Sequence, residues 1–117
     1  PFENKHWKPD SLYLDCFDSA LVHAPLAEAL GSFDPFTFYE DLSREQAAPV
    51  AHALHDYARA ARSEPSDAWI EEHVNCPATK GLERDEKLLL VADLADGIAD
   101  WISSTLASHE VMSILGA

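Results

Sequence analysis

The first residues with chemical potential are His52, His55 and Asp56, spaced as His-x-x-His-Asp. On a helix, His52 and Asp56 lie one turn apart, and His52 and His55 are three positions apart. Two imidazoles and a carboxylate have the donor chemistry of a zinc or other transition-metal site, and could centre a small metal-assisted enzyme. The spacing lacks the glutamate of a His-Glu-x-x-His protease helix. A complete site would need ligands from elsewhere, such as His73, Cys76, His109 or Glu110. Surface histidines on an alanine-rich helix account for the same residues. No metal and no cofactor is therefore expected; His52, His55 and Asp56 are the candidates should one bind.

A second pattern lies further along. Asp93, Asp96 and Asp100 fall within an arc of about 60° on a helix, opposite its apolar side. No Lys or Arg follows Lys87, so no cation of the same helix can neutralise them through a spacing of four. Beside them, Leu90, Leu94 and Trp101 form an apolar shoulder. Charge next to an aromatic anchor is a frequent composition of protein-binding hot spots. The expected partner-binding residues are Asp93, Asp96, Asp100, Trp101 and Leu94. A solvated acidic face with its shoulder packed on a neighbouring helix would explain the same residues. Gly97 costs this helix about 1 kcal/mol relative to alanine.

Other chemistry finds less support. Cys16 and Cys76 have no flanking nucleophile signature and no glycine-rich loop to build an oxyanion hole. Two cysteines sixty positions apart make no disulfide framework, and reduced thiols are the expectation. Ser103, Ser104 and Thr105 lack a nucleophile-elbow pattern. Dinucleotide, phosphate-loop and calcium-loop motifs are absent from the sequence.

The chain has 117 residues, 21 acidic and 8 basic, for a formal net charge of −13. Such an excess argues against nucleic acid, whose phosphates need a Lys/Arg surface, and against anionic lipid. No apolar stretch approaches membrane-spanning length. The segment from Pro1 to Trp7 has no apolar run of the kind a signal peptide needs. Pro1, in place of an initiator methionine, leaves room for residues upstream. A cytoplasmic location is the expectation.

The elements that must position these residues are mostly helical. Ala and Leu together number 32, while Val, Ile and Thr together number 12; small and straight-chain residues lose little freedom in a helix. Residues 1–11 read as a polar arm, and 11–17 as a short strand or a helix entry. From Ser19 to Leu30 the pattern is helical, with Pro25 either kinking the helix or opening it and Gly31 ending it. Asp34-Pro35 fits a helix start, Phe33, Phe36, Phe38 and Tyr39 suit a core plug, and residues 36–40 read equally as strand or helix. Ser43-Arg44-Glu45-Gln46 fits a capping box for a helix to about Arg62. Pro65 suits the first turn of a helix carrying Trp69, Ile70 and Val74, followed by a loop over 75–82. Residues 83–106 carry Leu88, Val91, Ala95, Ile98, Ile102 and Leu106 on one face. Ser108 suits the cap of a final short helix, 109–115.

The fold class expected is all-α: one domain over 1–117, an irregular bundle of four to six helices, with room for one short strand near the N-terminus. Helices 43–62 and 83–106 should form its central pair. The function expected is a small acidic module that neutralises a basic protein partner, in the manner of a bacterial immunity protein or antitoxin. Complementary potential would speed capture, and apolar contact would slow release. The alternatives are the small metal-assisted enzyme above, or a structural or regulatory subunit without catalysis.

Overall fold

A computed structural model describes residues 6–8, 11–14, 16–31 and 38–116. The chain is mostly helical with a small sheet. In order it forms β1 (His6–Lys8), β2 (Ser11–Leu14), α1 (Cys16–Leu21), α2 (His23–Leu30), β3 (Phe38–Ser43), α3 (Arg44–Arg62), α4 (Asp67–His73), a 3-10 turn (Pro77–Thr79), α5 (Arg84–Ser108) and β4 (Val111–Gly116).

Helix α3 starts where its sequence dictates. The Ser43 hydroxyl accepts the Gln46 N–H at 3.4 Å, and the Gln46 side chain accepts the Ser43 N–H at 2.9 Å. Two orphan donors of the first turn are thereby satisfied. The helix continues through Pro49. Its apolar stripe, including Ala47, Val50, Leu54 and Ala61, is buried.

The segment 19–30 divides into two helices at Val22, whose φ of −115° and ψ of 14° interrupt the helical path. Pro25 falls in the first turn of α2, where a missing N–H costs nothing. Gly31 ends α2 in a left-handed conformation, φ 83°. Pro65 lies just ahead of α4, whose cap is Ser66; the hydroxyl accepts the Trp69 N–H at 3.2 Å.

Helices α3 and α5 run antiparallel. Arg44, first in α3, donates to the Leu106 carbonyl in the last turn of α5, while Arg62, last in α3, reaches Asp93. The Arg44 contact serves a carbonyl that the helix cannot pair internally. It also places positive charge at a helix end that has none of its own.

The sheet departs most from expectation. Its order is β1-β2-β4-β3, with β2 parallel to β4 and the other pairs antiparallel. Where a final helix over 109–115 is expected, Val111–Gly116 form a central strand. Met112 and Ile114 alternate into the core and are fully buried, as are Leu12 and Leu14 of β2. Two ladders satisfy this short segment's backbone on both sides, which an isolated turn of helix could not do. The undecided residues near 36–40 enter β3 from Phe38. Between Tyr39 and Leu42 that strand carries one extra residue relative to β4. Asp41 absorbs the bulge with φ 54°, and its N–H donates to the Ser113 hydroxyl at 3.1 Å. The mostly helical class holds, with a small sheet added to it. Part of the expected polar arm is β1 and the start of β2; Asp34, Pro35, Phe33 and Phe36 lie outside the described residues.

All six stripe residues of α5 are buried. So are Ala92, Leu94, Ala99, Trp101 and Thr105. The buried arc covers about half of the helix circumference at ~100° per residue. Among the described residues, no helix is long and apolar enough to cross a membrane.

Truncation at the centre of the sheet should be costly. Ile114→Ala is expected to lower stability by about 2–5 kcal/mol, the usual cost of such a core deletion, read from urea unfolding by circular dichroism. A loss within experimental error would contradict a core position for this strand.

Candidate functional site

The expected acidic ridge lies along the α3–α5 seam. The antiparallel packing brings His55 and Arg62, two turns apart on α3, over Asp93, Asp96 and Asp100 of α5. The Arg62 guanidinium forks between two carboxylates. Nη2 donates to Asp93 Oδ1 at 3.0 Å, and Nη1 donates to Asp96 Oδ2. His55 Nδ1 lies 2.9 Å from the other Asp96 oxygen, and its Nε2 lies 3.5 Å from Asp100 Oδ1. A carboxylate only accepts, so Nδ1 carries a proton.

This overturns the reading of the three aspartates as uncompensated. The spacing rule excluded a cation within α5 and was correct there. The compensating groups come from α3, 31 to 45 positions earlier. Asp96 is the centre of the cluster. Burial alone would raise its pKa, but the hydrogen bonds from His55 and Arg62 outweigh burial and hold the carboxyl below its ordinary range. The same Asp96 contact raises the pKa of Arg62. Asp93 and Asp100 remain well exposed, at 63% and 76% of their side chains.

The apolar shoulder is also corrected. Leu94 and Trp101 belong to the core. The arc of the strongest stripe is too narrow, because Leu94 and Trp101 lie about 40° and 60° past its edge at Ile98 and the buried face reaches them. Of the expected shoulder only Leu90 is exposed, at 40%, and Leu89 beside it is exposed at 59%. Three consecutive leucines span about 200° of a helix. Leu88, Leu89 and Leu90 therefore cannot all reach one core face, and this signal was present in the sequence. Leu89 shares its face with Asp85 and Asp93, both exposed. A shallow groove of about 210 Å3 runs beside it, lined by Ala61, Arg62, Glu64, Asp85, Leu88 and Leu89.

The metal candidates do not assemble. His55 is committed to α5. His52 Nε2 lies 3.3 Å from Asp56 Oδ2, and Arg59 holds the other Asp56 oxygen at 2.8 Å. His73 Nδ1 lies 2.9 Å from the Trp69 carbonyl, and His109 Nδ1 lies 3.2 Å from that of Thr105. Among the described residues, no group of three or more His, Cys, Asp or Glu side chains is placed to hold a metal ion. The Cys16 side chain lies outside the described residues; Cys76 is a half-buried free thiol.

No family model, no curated protein and no solved structure matches the chain.

The depressed Asp96 pKa fixes the direction of one pH effect. The carboxylate contributes stability that is fully present above the unfolded-state pKa, about 3.9, and is lost as pH falls through the lower folded-state value. Asp96→Asn should therefore be less stable than the parent at neutral pH, with the gap closing below about pH 4. Urea midpoints of both proteins from neutral to strongly acidic pH test this; a gap independent of pH would show that the charge on Asp96 is not what the cluster uses.

Proposed function

We propose that the protein is a binding module for a basic protein partner, engaged through the first half of α5. The observation that carries this reading is Leu89, a large apolar side chain 59% exposed on a helix face otherwise occupied by acids. More than half of its surface stays in water, where it gains nothing for the fold. Covered by a partner, that remaining surface would contribute roughly 1–2 kcal/mol. Leu90 adds a second, partly exposed contact.

Charge supports the same conclusion. Asp85, Glu86 and Asp93 surround the leucines and are exposed. Arg62 and His55 reduce the field of the seam without cancelling three carboxylates. The whole chain remains at −13. An apolar centre inside a charged rim suits rapid, electrostatically guided encounter followed by slow release. Relative to the sequence-based expectation, the anchor moves from Leu94 and Trp101 to Leu89 and Leu90, about two turns towards the N-terminus of α5. Asp93 and Asp100 stay in the rim, while Asp96 holds the seam together. Within this class, an immunity protein or antitoxin that masks a cationic toxin is the sharpest form.

The test is capture of proteins from native cell extract at low and at high salt, followed by affinity measurement with the purified partner. A basic protein should be retained at low salt only. Leu89→Ser/Leu90→Ser should weaken it by about tenfold or more, as the lost apolar burial implies, with the circular dichroism spectrum unchanged. A partner that is acidic, or one whose affinity ignores both salt and the two leucines, would refute the proposal.

A further inference from the structure

A second concave feature lies away from the α5 leucines, between α2, α3 and α4. It is a cleft of about 550 Å3, within the range of small-molecule sites. Its origin is legible in residue size. Ala24 and Ala29 of α2 and Ala53 and Ala60 of α3 line it, and side chains this small leave the space between the helices unfilled. The lining positions of α3 recur at spacings of three and four, so one continuous stripe of that helix forms the wall.

The wall formed by α4 is locked in place. Trp69 stacks on His73 with ring centres 4.7 Å apart and an interplanar angle of 27°. Tyr57 packs 5.4 Å from the Trp69 ring, and its hydroxyl donates to the His73 carbonyl at 3.2 Å. Burial pushes the Tyr57 phenol to a higher pKa, which keeps that proton in place. A ligand therefore meets a formed aromatic wall and need not build one.

The polar lining is dominated by acceptors. Glu28 and Asp56 are carboxylates on two different helices. The Tyr57 proton is already given to a carbonyl. His73 Nδ1 faces the Trp69 carbonyl at 2.9 Å, so it is a protonated nitrogen whose proton is already given to a carbonyl. His52 and Arg59 already contact Asp56, but both are largely exposed, at 80% and 74%. Exposed pairs of this kind are weak enough for a ligand to displace.

We infer that this cleft binds a small organic cation: a flat apolar body lying against Trp69 and His73, with an ammonium, amidinium or guanidinium group directed to Glu28 and Asp56. The pairing is one of complementary chemistry. Donor-rich cations satisfy carboxylate acceptors with charge-assisted hydrogen bonds. Aromatic lining favours a flat or cationic guest over a purely aliphatic one. An anion would meet two carboxylates. This site is independent of the partner surface proposed above.

Benzamidine, benzamide and benzoate form a test series of one shape and three charges. Calorimetric titration and amide NMR of the full chain should show saturable benzamidine binding with shifts at Trp69 and His73. Benzamide should bind at least about tenfold more weakly, since it loses the charge-assisted contacts, and benzoate should not saturate. Glu28→Gln/Asp56→Asn should cut benzamidine affinity by about tenfold on the same ground and leave benzamide unchanged. Ala53→Met, which fills the cleft, should weaken both. Leu89→Ser/Leu90→Ser should leave benzamidine binding intact, which separates this site from the partner surface. Equal affinity for benzamidine and benzamide, no response at Trp69, or a carboxylate double variant that binds benzamidine as the parent does would each overturn the assignment.

Discussion

The antiparallel contact between α3 and α5 organises everything else. Strand β3 runs directly into α3, and α5 is followed within three residues by β4. The helix pair and the β3–β4 strand pair are therefore one continuous antiparallel unit, helical at one end and extended at the other. Buried alanines on both helices, Ala47, Ala51, Ala58 and Ala61 against Ala92, Ala95 and Ala99, keep the two backbones free of bulky obstruction, which favours close approach. At that approach, short-reach contacts such as His55 to Asp96 become available across the seam. The same unit brings α5 side-chain donors from α3. Arg44 serves its C-terminal carbonyls, and Arg62 and His55 serve its aspartates.

Much of this was legible in the sequence where the signal is local. The Ser43–Gln46 box needs only four residues, and it predicts the start of α3. The spacing of Leu88, Val91, Ala95, Ile98, Ile102 and Leu106 needs only the helical period, and each of these residues is buried. Legibility fails where the deciding partner is distant. Asp96 is uncompensated to any reading confined to α5, and fully engaged once α3 is laid beside it. Residues 109–115 contain enough apolar side chains for one turn of helix. The strand conformation of Val111–Gly116 follows from two neighbouring strands whose sequences lie far away. Trp101 is an exposed anchor on a narrow stripe and a core residue on a wide one. The buried face runs about 60° past Ile98 to take in Trp101, on the side away from Ala92 and Ala99.

Helix α3 links the leucine face of α5 to the cleft. One flank supplies Arg62 and His55 to the seam below Leu89. Another flank, with His52, Ala53 and Asp56, lines the cleft against α2 and α4. The residues read together as a metal-binding trio are thus distributed between different neighbours: His55 turns to α5, while His52 and Asp56 turn to each other beside the cleft. In both places, exposed carboxylates stand next to apolar or aromatic surface, so an acidic chain presents its charge at sites that also have something to grip.

The parallel pairing of β2 with β4 joins parts of the chain about a hundred positions apart, Leu12 opposite Ile114. It works as a clasp. With β2 seated, β4 has a neighbour on each side and no open hydrogen-bonding edge. If β2 peeled away, the same Val-Met-Ser-Ile-Leu segment would become a short apolar border strand with unpaired amides, the sort of edge that recruits other chains. The early strand thus guards the late one: besides adding to the fold, it keeps the molecule from sticking to copies of itself.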